Sequence, residues 1–360
     1  MLRPGQPAPW FVTPSPVNPE FAFGSLGGRF MLMVFLPEPG EAREIALAHL
    51  RANSALFDDT KVYAFAVARD DATIARAQNT RALRWFFDPQ GQVSRRYHAL
   101  SPEGAPQPHW VIIDPSMRIY AVAPIEAGAK IMSLVERLPQ PDDHAGTPIH
   151  APVLVVPRIL ELDVCRQLID FYDSHGGRPS GVMREINGRV APVMDHTKRR
   201  RDAMVEDEGL RAMLRQKLAA RLLPEIAKAF QFQVTRVERY LVACYDSEGG
   251  GFFQPHRDNT TKATAHRQFA CSINLNAEDH EGGDLRFPEF GSKIYRPPTG
   301  GAVVFSCSLM HEATPVTSGR RYCFLPFFYN EPAAQIRERY LAEEAAAEAA
   351  KAAEPEAQTA

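Results

Sequence analysis

Hydrophobic positions in the first 140 or so residues fall in short, nearly unbroken runs separated by segments of helical period. Residues 29–36 and 61–68 hold few polar side chains, the pattern of parallel strands covered on both faces. Between them, residues 41–57 follow Pro39-Gly40 and set Ile45, Leu47, Leu50 and Leu56 on one broad apolar face, which predicts a helix. A helix over 70–81, strands over 85–87, 109–114 and 118–123, and a helix over 125–138 continue the alternation, with turns at Asp88-Pro-Gln-Gly91 and Asp114-Pro-Ser-Met117. That order implies a small α/β sandwich, one sheet with helices on both faces.

The pattern then changes. Residues 139–152 are polar and proline-rich without periodicity and are read as a linker. Beyond a strand at 153–156 and helices at 161–172 and 208–230, short strands are predicted over 236–244, 252–256, 267–275, 284–287, 302–307 and 321–328, separated by Gly, Pro and Asn/Asp turns. Such spacing predicts an antiparallel double-sheet jelly-roll barrel with flanking helices and a site between the sheets. Residues 331–360 are dominated by Ala and Glu with no apolar stripe after Leu341, and read as a solvated, fraying helix or disordered tail, or else a partner-binding segment.

A length of 360 residues accommodates these two domains, 1–138 and 153–330. With 45% apolar and 23% charged residues and no apolar run of about 20, the chain is not expected to span a membrane. A net charge of -2 offers phosphate backbones no general attraction, which argues against nucleic acid as a partner. The prolines of Met1-Leu-Arg-Pro-Gly-Gln-Pro-Ala-Pro-Trp10 interrupt any secretory leader, so a cytoplasmic location is expected. Cys165, Cys244, Cys271, Cys307 and Cys323 include no Cys-x-x-Cys pair; a disulfide framework is not supported, and buried reduced thiols are expected.

Candidate chemistry gathers in the second half. In Phe252-Phe-Gln-Pro-His256-Arg-Asp258 the imidazole and carboxylate stand two residues apart, on one face if the strand continues through them. A third donor, His311, follows a later apolar strand. Two His and one carboxylate with open positions form the facial triad of non-heme Fe(II) oxygenases. Next comes Gly319-Arg-Arg-Tyr322, whose guanidinium could grip a dicarboxylate bidentately. Strand parity chooses between neighbours, and Arg321 is selected with Arg320 as the alternative. His266 and His280 sit in polar, turn-like stretches and are expected on the surface, and His49, His98, His109, His144, His150, His175 and His196 show no metal-type spacing. Lys198-Arg-Arg-Arg201 is expected to be a solvated face, with a substrate-contacting loop as the alternative.

His256-x-Asp258, Gly282-Gly-Asp-Leu-Arg-Phe287, Pro298-Thr-Gly-Gly-Ala-Val-Val-Phe305 and His311 through Tyr322 together resemble the Fe(II)- and 2-oxoglutarate-dependent dioxygenases of the prolyl 4-hydroxylase type, over about residues 151–330. The resemblance implies that His256, Asp258 and His311 hold iron, that Arg321 binds the far carboxylate of 2-oxoglutarate, and that O2 is consumed as a C–H bond is hydroxylated and succinate and CO2 are released. By the same resemblance L-ascorbate is expected as reductant, and a protein or peptide substrate, or a small amino acid, as the acceptor of oxygen. Tyr245 matches a pocket tyrosine that hydrogen-bonds the co-substrate, its alternative being a sandwich residue with its hydroxyl at the rim. Arg267 matches a position near the substrate in some members, against a surface strand arginine. Where some relatives place a second tyrosine, this chain has Ser272-Ile-Asn-Leu275. Asp258 separates the chain from the related halogenases, whose small residue there leaves room for halide.

The first domain resembles the thioredoxin-like fold, and peroxiredoxins in its opening, through Pro4-Gly-Gln-Pro-Ala-Pro-Trp-Phe11, Leu26-Gly-Gly-Arg29 and Val34-Phe-Leu-Pro37. Where those enzymes carry a reactive thiolate this chain reads Pro37-Glu-Pro-Gly-Glu-Ala42, and no cysteine precedes Cys165, so a docking or structural module, or a homodimer contact, is expected. Two other readings compete: a thioredoxin-like scaffold with a vestigial ligand-binding barrel, and a zinc hydrolase using the same three ligands.

Overall fold

The computed structural model describes residues 2–186 and 189–353. Its contacts divide the chain into one unit of Met1–Ala151 with Phe287–Lys293, and a second of Pro152–Arg286 with Ile294–Ala360.

In the first unit five strands form one sheet: β1 (Phe30–Phe35), β2 (Val62–Ala68), β3 (Arg84–Phe87), β4 (His109–Ile113) and β5 (Ile119–Pro124), in the order β3-β2-β1-β4-β5. The central strands pair in parallel and β4 and β5 antiparallel. Every residue of β1 is buried because both faces are covered: Met31, Met33 and Phe35 enter one core, and Phe30, Leu32 and Val34 the other. The predicted helix over 41–57 stops as α1 (Glu41–Ala52) and yields to a single 3-10 turn. Its inward face is Ala46, Leu47 and Leu50, while Ile45 is exposed, so the apolar stripe is narrower than the sequence suggested. The helix expected over 70–81 shrinks to one turn, Asp71–Ile74, capped by the Asp70 side chain. A hairpin of Val12–Ser15 and Asn18–Ala22, and the short helix Gln92–Arg96, have no counterpart in the sequence reading.

In the second unit the strands that position the site are β6 (Lys198–Arg199), β7 (Arg201–Met204), β8 (Leu241–Asp246), β9 (Phe252–His256), β10 (Phe269–Asn274), β11 (Leu285–Arg286), β12 (Ala302–Ser306), β13 (His311–Ala313) and β14 (Val316–Phe324). They belong to two antiparallel sheets. β7, β8, β10, β12 and β14 lie in a ten-stranded sheet, and β6, β9, β13 and β11 in a five-stranded one. Among the described residues the two do not close into a continuous barrel, which corrects the barrel expected from strand spacing alone.

Alternation along the large sheet sorts its side chains. Val242, Cys244, Cys271, Ile273, Tyr322 and Phe324 join the core under the helices Leu162–His175, Glu208–Arg221 and Leu223–Phe230. Ala243, Tyr245 and Cys323 join Ala313, Val316 and Phe253 in a smaller cluster that brings in the other sheet. The helix predicted over 208–230 is two helices because Pro224 starts the second, where its missing N–H is harmless. All five cysteines are buried free thiols. The expected tail forms a helix, Glu331–Ala353; residues 354–360 lie outside the described ones.

Candidate metal and co-substrate site

His256 closes β9, His311 opens β13, and the antiparallel register sets them opposite each other, with ring centroids 4.3 Å apart. Asp258 is held just past β9 by its backbone N–H, which donates to the Cys307 carbonyl at 3.0 Å. Its carboxylate lies 3.6 Å from His256 Nε2 and 3.3 Å from His311 Nε2. Donor atoms of all three residues fall within 4.8 Å of one another.

The opposite ring nitrogens explain the orientation. His256 Nδ1 contacts the Gln254 carbonyl at 2.8 Å and His311 Nδ1 that of Leu309 at 3.0 Å. A carbonyl can only accept, so Nδ1 of both rings carries a proton, and Nε2 of each is turned to the carboxylate. Burial and the neighbouring His311 push the His256 pKa down to about 4, so this ring is neutral at pH 7. Burial opposes ionisation of Asp258, but the two imidazoles outweigh it and hold its carboxyl well below the usual range. Side-chain exposures of 18% for His256 and 15% for Asp258 leave the donors approachable.

β14 carries the arginines, and register decides their parity. Arg321 pairs with Tyr245 and is buried, while Arg320 pairs with Asp246 on the outer face and binds its carboxylate at 2.8 Å. The Arg321 guanidinium donates to Ser272 Oγ at 2.9 Å and reaches Asn274 Oδ1 at 3.5 Å, two residues of the segment that departs from the relatives' tyrosine. Among the described residues no carboxylate forms an ion pair with it. Gly283, at φ +73°, leaves room for its stem: a Cβ there would meet Arg321 Cδ at 2.9 Å.

Tyr245 is buried rather than at a rim. Its ring lies 5.2 Å from the Arg321 guanidinium carbon and 5.8 Å from that of Arg200, whose Nη1 stands 3.5 Å from the hydroxyl. Burial raises its pKa.

Arg267 is neither on the surface nor free. It donates to both oxygens of Glu238, at 3.2 and 2.7 Å, and lies over the Phe327 ring. His266 shares that carboxylate at 2.6 Å and is buried, contrary to the surface expected for it, because Glu238 supplies a partner for the imidazole. His280 is buried as well, its Nδ1 against the Gly282 carbonyl.

The basic run is also corrected. Lys198 and Arg200 are buried while Arg199 and Arg201 are exposed, the alternation of a strand and not a uniformly solvated face. Arg200 forms a two-point pair with Asp202 at 2.7 Å per contact. Lys198 Nζ contacts Ser180 Oγ at 2.7 Å and the Gly181 carbonyl at 2.9 Å. Burial, then Arg200, press the Lys198 pKa down to about 6. Charges at positions 198, 200 and 202 were the available signal, masked by the equally charged residues between them.

Residues 240–329 match the family model of the 2OG-Fe(II) oxygenase superfamily. A PKHD-type hydroxylase of Synechococcus sp. is 28% identical over 92 residues, 24% of this chain and 40% of the relative. One from Shewanella baltica is 26% identical over 160 residues, 41% of this chain and 68% of the relative. The chain thus spans less than half the length of the Synechococcus relative. Among solved structures, a prolyl hydroxylase from Trichoplax adhaerens in complex with a hypoxia inducible factor peptide fragment aligns with TM-score 0.42 and 17% identity, over 54% of this chain and 89% of that one. A Pseudomonas putida prolyl-4-hydroxylase aligns at TM-score 0.38 and 20% identity, over 52% and 96%. The carboxy-terminal part of this chain therefore carries a 2OG-Fe(II) oxygenase domain, with PKHD-type hydroxylases among its curated relatives.

Proposed function

We propose that the chain is an Fe(II)- and 2-oxoglutarate-dependent dioxygenase, prolyl 4-hydroxylase-like, that hydroxylates a C–H bond of a peptidyl proline or another amino-acid residue and releases succinate and CO2. The observation that carries this is a buried guanidinium that has no ion-pair partner among the described residues, together with a two-histidine, one-carboxylate cluster in the same unit. The donor set fits a ferrous ion: mixed nitrogen and oxygen ligands on one side, lone pairs turned inward by the backbone carbonyls, and an accessible face for further ligands.

Each residue then has a task. His256, Asp258 and His311 hold the metal, which when bound supplies activation of O2 against the 2-oxo acid. Arg321, steered by Ser272 and Asn274, would receive the far carboxylate of 2-oxoglutarate. Tyr245, whose ring lies 5.2 Å from the Arg321 guanidinium carbon, offers its hydroxyl, kept protonated by burial, as a donor. Arg267 acts at a distance, bracing Glu238, and does not need to touch substrate. Ascorbate serves as reductant. Residues 1–138, thioredoxin-like and without a thiol, form a docking or structural module joined by the linker 139–152 to the oxygenase domain 153–330, with 331–360 as the tail. A hydrolase built on the same donors would leave Arg321 without employment.

Succinate formation from 2-oxoglutarate by the full chain tests this. It should require added Fe(II) and disappear in His256→Ala; turnover persisting in that variant rejects the proposal.

A further inference from the structure

Lys198 has no part in that scheme, yet it is placed beside the site. β6 pairs with β9 so that Lys198 faces Phe253, and Nζ stands 4.9 Å from the centre of that ring. The same ring stacks on His256 at 3.4 Å between centroids. The Lys198 amine and a proposed metal ligand thus pack against the same aromatic ring. Lys198 also reaches the co-substrate side, because Ser180 Oγ, its partner, stands 3.4 Å from Arg200 Nη2, and Arg200 lies over Tyr245 as Arg321 does.

Charge is out of balance in this connected group. Asp202 binds Arg200 at 2.7 Å and Arg239 at 3.7 Å, whereas Lys198 and Arg321 make no ion pair with a carboxylate among the described residues, Asp202 and Asp258 acting on Lys198 only at longer range. The far carboxylate of 2-oxoglutarate would satisfy Arg321. Lys198 then keeps a hydroxyl and a carbonyl as its contacts and, among the described residues, no anion. Burial disfavours the charged form of such an amine, and a carboxylate arriving beside Nζ would favour its protonation and pair with it.

We propose that Lys198 receives a carboxylate carried by the primary substrate, so that the compound hydroxylated by this chain is an acid at or next to the reacting residue. This rests on the oxygenase reading above. The carboxylate could be an acidic side chain or a free α-carboxylate; both present the same two oxygens to Nζ, and Ser180 Oγ–H can donate to either. A neutral peptide segment would give Nζ no carboxylate partner and would bind less tightly.

The full chain, loaded with Mn(II) and saturated with 2-oxoglutarate, provides the test, with binding read by ligand-observed NMR. Three probe pools are compared: N-acetyl amino acids with a free α-carboxylate, the neutral members of that pool as primary amides, and N-acetyl-aspartate and N-acetyl-glutamate α-amides. At least one acidic pool should bind about tenfold or more tightly than the neutral amides, and which one identifies the source of the carboxylate. Lys198→Met and Lys198→Gln should both erase the preference. Equal binding of all pools, no binding of any, or a preference surviving in both variants overturns the proposal. So does loss of 2-oxoglutarate binding in both variants, which would assign Lys198 to the co-substrate. Failure of the wild-type chain to bind 2-oxoglutarate counts instead against the oxygenase reading, so the two failures are distinguishable.

Discussion

Replacing Arg321 with methionine should separate stability from binding. The guanidinium is 3% exposed and held by Ser272 Oγ and, more loosely, Asn274 Oδ1, with no carboxylate among the described residues in ion-pair reach. Burying an ion costs several kcal/mol, and one good and one long hydrogen bond to neutral groups return about 2–4 kcal/mol of it. Methionine fills most of the same volume and removes the charge, so folding stability should change by no more than about 1.5 kcal/mol and could rise. Affinity for 2-oxoglutarate behaves oppositely. Losing one partner of a buried charge pair costs about 2–5 kcal/mol, or roughly 30-fold to several thousand-fold in Kd. Urea unfolding of the metal-free protein and titration of 2-oxoglutarate into the Mn(II)-loaded protein give the two numbers. The reasoning fails if Arg321→Met unfolds the protein by more than about 3 kcal/mol, or binds 2-oxoglutarate within about threefold of the wild type.

Arg320→Ala is the parity control: its side chain is 54% exposed on the outer face, so stability should shift by less than about 0.5 kcal/mol and 2-oxoglutarate affinity should hold, read by the same two assays. Burial works against ionised Glu238, but hydrogen bonds from His266 and Arg267 bring its pKa down to about 2. A depressed carboxyl stabilises the fold above its unfolded pKa and loses that contribution as pH falls through the folded one, so wild-type stability should decline between about pH 4.5 and pH 2. Glu238→Gln should start lower and lack that part of the slope in denaturant titrations across the range; an unchanged slope contradicts the pairing. Trp110 is fully buried in β4 and donates from Nε1 to the Ile125 carbonyl at 2.9 Å, so Trp110→Ala should cost about 3–5 kcal/mol by equilibrium unfolding.

What the sequence displayed depended on the range of the interaction that decides each feature. The strands of the first unit were legible because burial on both faces leaves continuous apolar runs, as in Phe30–Phe35. The break at Leu222 was also written locally, in Pro224, although helical periodicity runs across it. His256, Asp258 and His311 could be picked out by residue type and spacing, and the structure brings their donors together. Arg321 needed the register with Tyr245, and that depends on pairing across 76 positions. His266 looked like a surface residue because it lies in a turn and its partner, Glu238, is on a strand 28 residues away. Lys198 and Arg200 were hidden for the same reason: a run of four basic residues looks solvated until Lys198 pairs with Phe253 and Arg200 is held by Asp202.

An oxygenase site in this chain requires a metal and a keto diacid to bind side by side. A crystal structure of the full chain grown with Mn(II) and 2-oxoglutarate should show one ion held by His256 Nε2, Asp258 and His311 Nε2, with the far carboxylate of the diacid on Arg321 and the Tyr245 hydroxyl beside it. An ion held elsewhere, or a diacid that does not touch Arg321, would contradict it.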